Sequence, residues 1–492
     1  MIPPEQAKAA AFLAGLSGGP PVETHISAVF RGADTVWKLK KAVRLPFLDF
    51  SSLADRRRFL LRELELNAPW APGLYRDVAP LVRTPAGLGF GDGPAVEWVL
   101  RMARVPDADL MDAVAARGGL TPDLLDGIAD AVAGMHLALP PAEVTDPVGR
   151  MRAVALGNQQ AAVSAGLPDA LVQAWLDGML AALASRAGLL ETRAAAGLVR
   201  RAHGDLHLGN LLLWHGHPAP FDALEFDEGM ATIDLGYDLA FLLMDLDLQA
   251  SRAAASRVLG RYVGRTGDAA LVGALPPFLS MRALIRAHVA ASRGRDGGAY
   301  LEAALRYLHP VPPMVVAIGG LMGTGKTTLA RALAPGLGAA PGALHLRSDE
   351  SRKRLHGLLP EDRLPPGAYD AADAAQTDAT LLYGLRNALT GGHAVVLDAT
   401  FRSPALRAAA AEAARAAGAP FVGLWLHAPM TELERRVAAR QRDASDATPA
   451  VLRAAGTVAA PADWLAIDAA DSATALAAAQ AAVAAVLAGR TC

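Results

Sequence analysis

Between Met314 and Thr328 the chain reads MVVAIGGLMGTGKTT. Gly320 and Gly325-Lys326-Thr327 stand at the spacing that cradles a phosphate chain. Glycines let successive backbone N–H groups turn inward around phosphate oxygens. The helix that TLARALA predicts points its positive end at the same oxygens. Gly320, Met322, Gly323, Thr324, Gly325, Lys326, Thr327 and Thr328 are therefore the expected ATP-binding residues. Lys326 would reach the β/γ-phosphates and act in catalysis, and the Thr327 hydroxyl would hold Mg²⁺.

Further along, Ser348-Asp349 follows the strand-like ALHLR, and Asp398 follows AVVL. In open α/β sheets, ligands sit beyond the carboxyl ends of the strands. Asp398 is then the expected Mg²⁺ carboxylate. Asp349 is the expected general base for an acceptor hydroxyl, with helix N-capping as its alternative role. Arg352, and Lys353 beside it, could bind an anionic part of the acceptor or the transferring phosphoryl. Arg436 and Arg440 lie at i,i+4 in the arginine-dense ELERRVAARQRDASDA and are expected to close over ATP.

A second constellation lies in the first half. His203-Gly-Asp205, with Asn210 five residues on, has the spacing of a kinase catalytic loop. There a carboxylate, Asp205, orients the attacking hydroxyl, and an amide oxygen, Asn210, binds Mg²⁺. Asp222 is placed for a second metal carboxylate, with Glu225 and Asp227 as rivals. A strand lysine held by a helix glutamate should neutralise the α/β-phosphates. Lys38 and Glu63 fit, with Lys40 and Glu65 as alternatives. His207 is expected to pack the loop; no His/Asp/Glu cluster supports a metal role.

The elements that must position these residues follow from pattern. His25–Phe30 and Thr35–Lys40 read as a hairpin with RGAD as its turn, and LADRRRFLLRELELN from Leu53 reads as a helix. Extended segments follow at Val78–Leu81 and Val96–Met102, and helices over Thr121–Leu137 and Ala155–Ala195. A helical block runs on to about Tyr307, where HPVPP ends it. From Met314, strand-like runs at Val315–Ile318, Ala343–Arg347, Ala394–Leu397, Phe421–Leu426 and Trp464–Ile467 alternate with helices. That alternation predicts a five-stranded parallel sheet covered on both faces. The division is expected at the proline run, giving domains 1–309 and 314–492.

Composition bounds the rest. A chain of 492 residues needs more than one core, and 52% hydrophobic residues exclude disorder. A formal net charge of −2 gives no basic bias toward nucleic acid or an anionic membrane. Cys492 is the only cysteine, which excludes an intramolecular disulfide and a cysteine-based zinc site and fits a reducing cytoplasm. Ala9–Leu16 reads as a short helix rather than a leader, and Ser472–Gly489 as a surface helix too weakly apolar to span a membrane.

HGDLHLGN, Asp222 and Asp238-Leu239-Ala240 resemble the aminoglycoside phosphotransferase-like branch of the protein-kinase-like fold, over most of residues 22–305. The strings VWKLKKAV, FLDFSSL and RRRFLLRELELN are similar to a subgroup in which that domain is fused to a P-loop kinase domain. SDESRKRLHGL, LDATF and RDASDA resemble the predicted-kinase partner in that fusion, over about 312–470. The resemblance implies a bilobal α+β kinase-fold domain followed by an α/β P-loop domain. One departure stands out: no Gly-x-Gly-x-x-Gly loop is present, so RGAD or HIS must substitute. The expected activity is ATP- and Mg²⁺-dependent phosphoryl transfer to a hydroxyl of a small molecule. The alternatives are an antibiotic or sugar kinase acting through the N-terminal domain, and an ATP-binding switch.

Overall fold

The computed structural model describes residues 1–45, 48–365, 367–439, 444–456 and 458–489. They form two compact units, Met1–Val144 with Gly197–Leu242, and Thr145–Ala196 with Leu243–Cys492.

The first unit opens with helix α1 (Ala7–Ser17) and strands β1 (Val22–Glu23), β2 (Ser27–Arg31) and β3 (Thr35–Lys40). A small hairpin, β4 (Arg44–Leu45) and β5 (Leu48–Asp49), leads into helix α2 (Leu53–Asn67). Strands β6 (Tyr75–Thr84), β7 (Gly87–Phe90) and β8 (Ala95–Ala103) complete an antiparallel sheet in the order β1-β2-β3-β8-β6-β7. Side chains alternate across a strand. Leu39 therefore packs with Leu13 of α1 on one face, while Val36 packs with Leu60 of α2 on the other. Lys38 and Lys40 fall on the α2 face with Val36. Helix α2 starts where Ser52 accepts a hydrogen bond from Asp55 N at 3.0 Å. Helices α3 (Met111–Ala116) and α4 (Pro122–Ala138) follow.

Helices α5 (Pro147–Ser164), α6 (Asp169–Ser185) and α7 (Ala187–Ala195) belong to the second unit. The chain then returns to the first with β9 (Val199–Arg201), the hairpin β10 (Leu211–Trp214) and β11 (His217–Pro220), helix α8 (Glu228–Ala231) and β12 (Thr232–Asp234). The helical stretch expected over 155–195 falls in three helices, interrupted between Ser164 and Asp169 and at Arg186. Strand β7 had no clear alternation to announce it.

Helix α9 (Leu235–Gln249) leads into α10 (Arg252–Thr266), α11 (Leu271–Ser292) and α12 (Gly298–Tyr307). The P-loop sheet then alternates with helices: β13 (Val315–Gly320), α13 (Lys326–Leu333), β14 (Leu344–Arg347), α14 (Ser348–Leu355), α15 (Ala371–Thr390), β15 (Val395–Asp398), α16 (Pro404–Ala416), β16 (Phe421–His427), α17 (Met430–Ala438), α18 (Pro449–Ala455), β17 (Leu465–Asp468) and α19 (Ser472–Ala488). The five strands pair in parallel, in the order β14-β15-β13-β16-β17. Val316 and Ile318 pack with Leu329 of α13 and Val483 of α19. On the other face, Gly423 makes room for Trp464, whose ring carbons would lie 2.6 Å from a Cβ there. Among the described residues, no helix is long and apolar enough to cross a membrane.

Candidate functional site

Strand β13 delivers the phosphate loop and α13 receives it. Gly320 has φ +133°, and a Cβ there would lie 2.4 Å from Leu426 O. Gly323 has φ +87°, and its Cβ would meet Leu433 O of α17 at 3.0 Å. Only glycine satisfies both backbone angle and space at these positions. Gly325, at φ +90°, is the N-cap of α13. Lys326 Nζ folds back over the loop and donates to Gly320 O at 3.1 Å and Leu321 O at 2.9 Å. Thr324 Oγ1 donates to Leu321 O at 2.8 Å, which braces the loop from within. Met322 packs into the small core of Leu321, Leu433, Val437 and Leu452, so its side chain anchors the loop while its backbone faces the turn.

Parallel pairing sets Ile318 of β13 beside Asp398 of β15, and Arg347 of β14 beside the same residue. Thr327 Oγ1 lies 2.6 Å from Asp398 Oδ2. His345 Nε2 and Arg347 Nε approach that oxygen at 3.5 Å and 3.4 Å. Burial pushes the Asp398 carboxyl up, but the neighbouring His345 imidazole and the Arg347 charge outweigh it, and the group stays well below the usual carboxylate range. Asp349, in the first turn of α14, goes the other way: burial raises it against the pull of Arg347, and Asp398 adds to the rise. It makes no side-chain cap at α14, whose N-cap is Arg347. The donor set suits magnesium. A hydroxyl and an ionised carboxylate are hard oxygens, and a Mg²⁺ held by two protein groups takes its remaining ligands from phosphates and water. Among the described residues, no group of three His, Cys, Asp or Glu could hold a metal unaided.

Arg436 and Thr328 line a cavity of about 220 Å³ together with Thr324, Gly325 and Ser472. The Arg436 guanidinium is tied to Glu432 at 2.6 Å and to Ala469 O and Ala470 O, each at 2.9 Å. It forms a wall of the cavity, and to reach a transferring phosphoryl it would have to leave these partners. Arg440 lies outside the described residues. Arg352 is likewise engaged, with Nε 3.0 Å from Asp373 and its guanidinium stacked 4.7 Å over the Tyr369 ring. Lys353 is buried against Asp446 at 2.7 Å and serves the loop after α14.

In the first unit, the two lysine alternatives turn out to be partners. Lys38 Nζ lies 2.7 Å from Glu63 Oε1, and Lys40 Nζ lies 2.9 Å from Glu63 Oε2. Glu65 faces outward to Arg62 at 2.9 Å. Lys38 also meets Asp222 at 2.5 Å, and Lys40 meets Glu225. Burial opposes the charge on Lys38, but Asp222 and Glu63 outweigh it and hold the ammonium well above its ordinary range. Asp222 is correspondingly lowered: burial raises it and Lys38 overrides that. Asp227 instead caps α8, accepting from Met230 N at 2.9 Å.

Asp205 and Asn210 are brought together, as their spacing predicts. Asn210 Nδ2 donates to Asp205 Oδ2 at 3.0 Å and to Asp205 O at 2.9 Å, which turns its amide oxygen away as the acceptor end. His207 packs edge-on against Phe241 at 5.2 Å and accepts from Gly209 N at 3.0 Å. Asp238, given in the sequence only as part of Asp238-Leu239-Ala240, is the anchor of this loop. It accepts from His203 N at 3.0 Å and Gly204 N at 2.9 Å, and lies 3.1 Å from His136 Nε2. An aspartate opening an apolar helix after H-G-D was the available signal. A second cavity of about 220 Å³ opens beside Lys38 and Asp222. Residues next to both candidate turns line it: Thr24 before HIS, and Arg31 of RGAD.

Two constellations thus stand in one chain: the Lys38–Glu63–Asp222 cluster of the first unit, and the phosphate loop on the five-stranded parallel sheet of the second. The AAA domain family matches residues 315–461. A protein of Mycobacterium tuberculosis, described as uncharacterized, is 30% identical over 463 residues, covering 90% of this chain and 90% of its own. The chain belongs to the family of this mycobacterial protein. Among solved structures, a choline kinase from Cryptosporidium parvum is 10% identical and covers 59% of this chain and 87% of its own, with a TM-score of 0.37. A thermostable aminoglycoside phosphotransferase in complex with AMP-PNP and hygromycin B is 14% identical and covers 61% and 98%, with a TM-score of 0.38.

Proposed function

We propose that this protein is a phosphotransferase that moves the γ-phosphoryl of ATP to a hydroxyl of a small molecule, and that its domains are 1–309 and 314–492. The observation that carries the reading is the 2.6 Å contact of Thr327 with Asp398 at the mouth of the phosphate loop, beside the partly buried Asp349. Gly320–Thr328 grip the triphosphate, and Lys326 leaves its carbonyl partners for the phosphates. Thr327 and Asp398 would hold Mg²⁺, which would neutralise phosphate charge when bound. Asp349 accepts the proton of the attacking hydroxyl as a carboxylate, made more basic than an ordinary aspartate mainly by its burial.

The first unit supports a second reading, transfer through its own site. Asp205 lies in hydrogen-bond reach of Asn210, and Lys38 is set by Glu63. There Asp205 is the base, Asn210 and Asp222 the metal ligands, and Lys38 the phosphate cation.

One experiment separates the readings. ATP consumption is measured against a library of hydroxylated metabolites for the wild type, Lys326→Ala and Asp205→Asn. Loss in Lys326→Ala alone supports the P-loop site, and loss in Asp205→Asn alone supports the N-terminal one. Unchanged transfer in Lys326→Ala overturns the first reading. Binding of ATP with no acceptor-dependent turnover in any protein would make the chain a nucleotide switch.

A further inference from the structure

Helix α10 precedes the P-loop sheet in the chain by about fifty residues, yet packs in the same compact unit against β14 and α14. Gly260 and Gly264 lie one turn apart on it. A Cβ on Gly260 would lie 3.6 Å from His345 Cβ, and one on Gly264 would lie 2.4 Å from Glu350 Oε2. The missing side chains let α10 come close behind the strand and helix that carry His345, Arg347 and Asp349.

Two polar clamps cross that contact. Arg261, only 6% exposed, donates to Glu361 through both ends of its guanidinium, at 2.7 Å and 2.9 Å. Arg354 of α14 donates to Gly264 O at 2.8 Å. Glu361 stands in the loop after α14, where Lys353 also donates to the carbonyl of Asp362. Burial pushes the Glu361 carboxyl up, but Arg261 outweighs it and keeps the group ionised. Helix α14 has eight residues, too few for stability on its own, so its orientation comes from what it packs on.

We infer that Arg261 is a positioning residue for the acceptor side of the P-loop site. Its bidentate pair with Glu361 holds the loop after α14, and with the Arg354 clamp it sets the pose of the helix that carries Asp349. The acceptor side of this site is thereby completed by a helix from outside the P-loop domain. The inference rests on the P-loop reading above. Geometry of this kind matters because a displacement near 1 Å at a catalytic group costs on the order of a hundredfold in rate.

The test uses the full chain and four proteins: wild type, Arg261→Gln, Arg261→Lys and Glu361→Gln. Mg-ATP hydrolysis, with water as the acceptor, gives kcat and KM, and hydrogen–deuterium exchange reports on residues 348–365 and 315–333. Arg261→Gln and Glu361→Gln are expected to lower kcat about tenfold with KM for Mg-ATP within about twofold, because the base moves while the phosphate loop stays. Exchange should rise over 348–365 only, and Arg261→Lys should recover part of both effects. Unchanged kcat and exchange overturn the inference, as does a KM that rises in step with falling kcat while exchange rises everywhere. Glu361 is partly exposed, so its variant keeps the test open if Arg261→Gln does not fold. If Lys326→Ala hydrolyses ATP as the wild type does, the P-loop reading fails, and exchange over 348–365 alone decides whether the clamp positions α14.

Discussion

Glu63 sits between two ammonium groups and is wholly buried, while Glu65, two residues on, is on the surface. Removing one partner of a buried ionic cluster leaves uncompensated charge. Glu63→Gln is expected to cost about 3–5 kcal/mol in urea denaturation, against about 0.5 kcal/mol or less for Glu65→Gln. Equal effects would show that the carboxylate does not hold the lysines. Asp349 carries a pH prediction at the same scale. Its carboxyl lies above the ordinary aspartate value of 3.8, mainly through burial. A base must be ionised to accept a proton, so transfer should rise with pH along an acid limb displaced above that value. Asp349→Asn should abolish the limb along with most of the rate. A limb that survives the substitution assigns the base elsewhere.

Short elements make the P-loop site because their ends meet, and the supports of those ends are testable. His393, just before β15, is buried and bonds Gly342 O, just before β14, at 2.9 Å. Burial pushes its imidazole down from 6.5 to about 4, against the smaller pull of that hydrogen bond. Below pH 6.5 the unfolded chain takes up a proton that the folded one refuses until about pH 4. Stability should therefore fall as pH drops through that window, by up to about 3 kcal/mol from this group. His393→Gln should flatten the decline, and chemical denaturation between pH 7 and 4 measures it. A parallel decline in both proteins would place the effect on other groups. At α17, Gly323→Ala meets both an unfavourable φ and Leu433 O. It should weaken Mg-AMP-PNP binding at least about tenfold while β13 keeps its exchange protection. Binding at wild-type affinity would mean that the loop tolerates a side chain there.

For the whole molecule, the consequence is stoichiometry. If both proposed readings hold, each compact unit carries a nucleotide site, and the chain should bind two Mg-AMP-PNP by calorimetry. Lys326→Ala and Lys38→Ala should each remove one. A single site in the wild type would leave one unit without a nucleotide role.

Much of this was legible in sequence. The phosphate loop and the Asp205–Asn210 pair were, because their chemistry depends on residues close together in the chain, whose spacing survives folding. The five P-loop strands were too, since short apolar runs that alternate with helical segments announce the buried strands of a parallel sheet. The choice between Lys38 and Lys40 was not, because strand alternation puts both on one face and only the seat of Glu63 shows that they share it. The anchoring of the His203–Asn210 loop by Asp238 was also hidden, since its hydrogen bonds span 34 and 35 residues. The engaged state of Arg352 and Arg436 was equally out of reach, because a charge read in one dimension shows no partner. Local geometry is written in the chain's order, whereas a charge acquires its role only from what long-range packing sets against it.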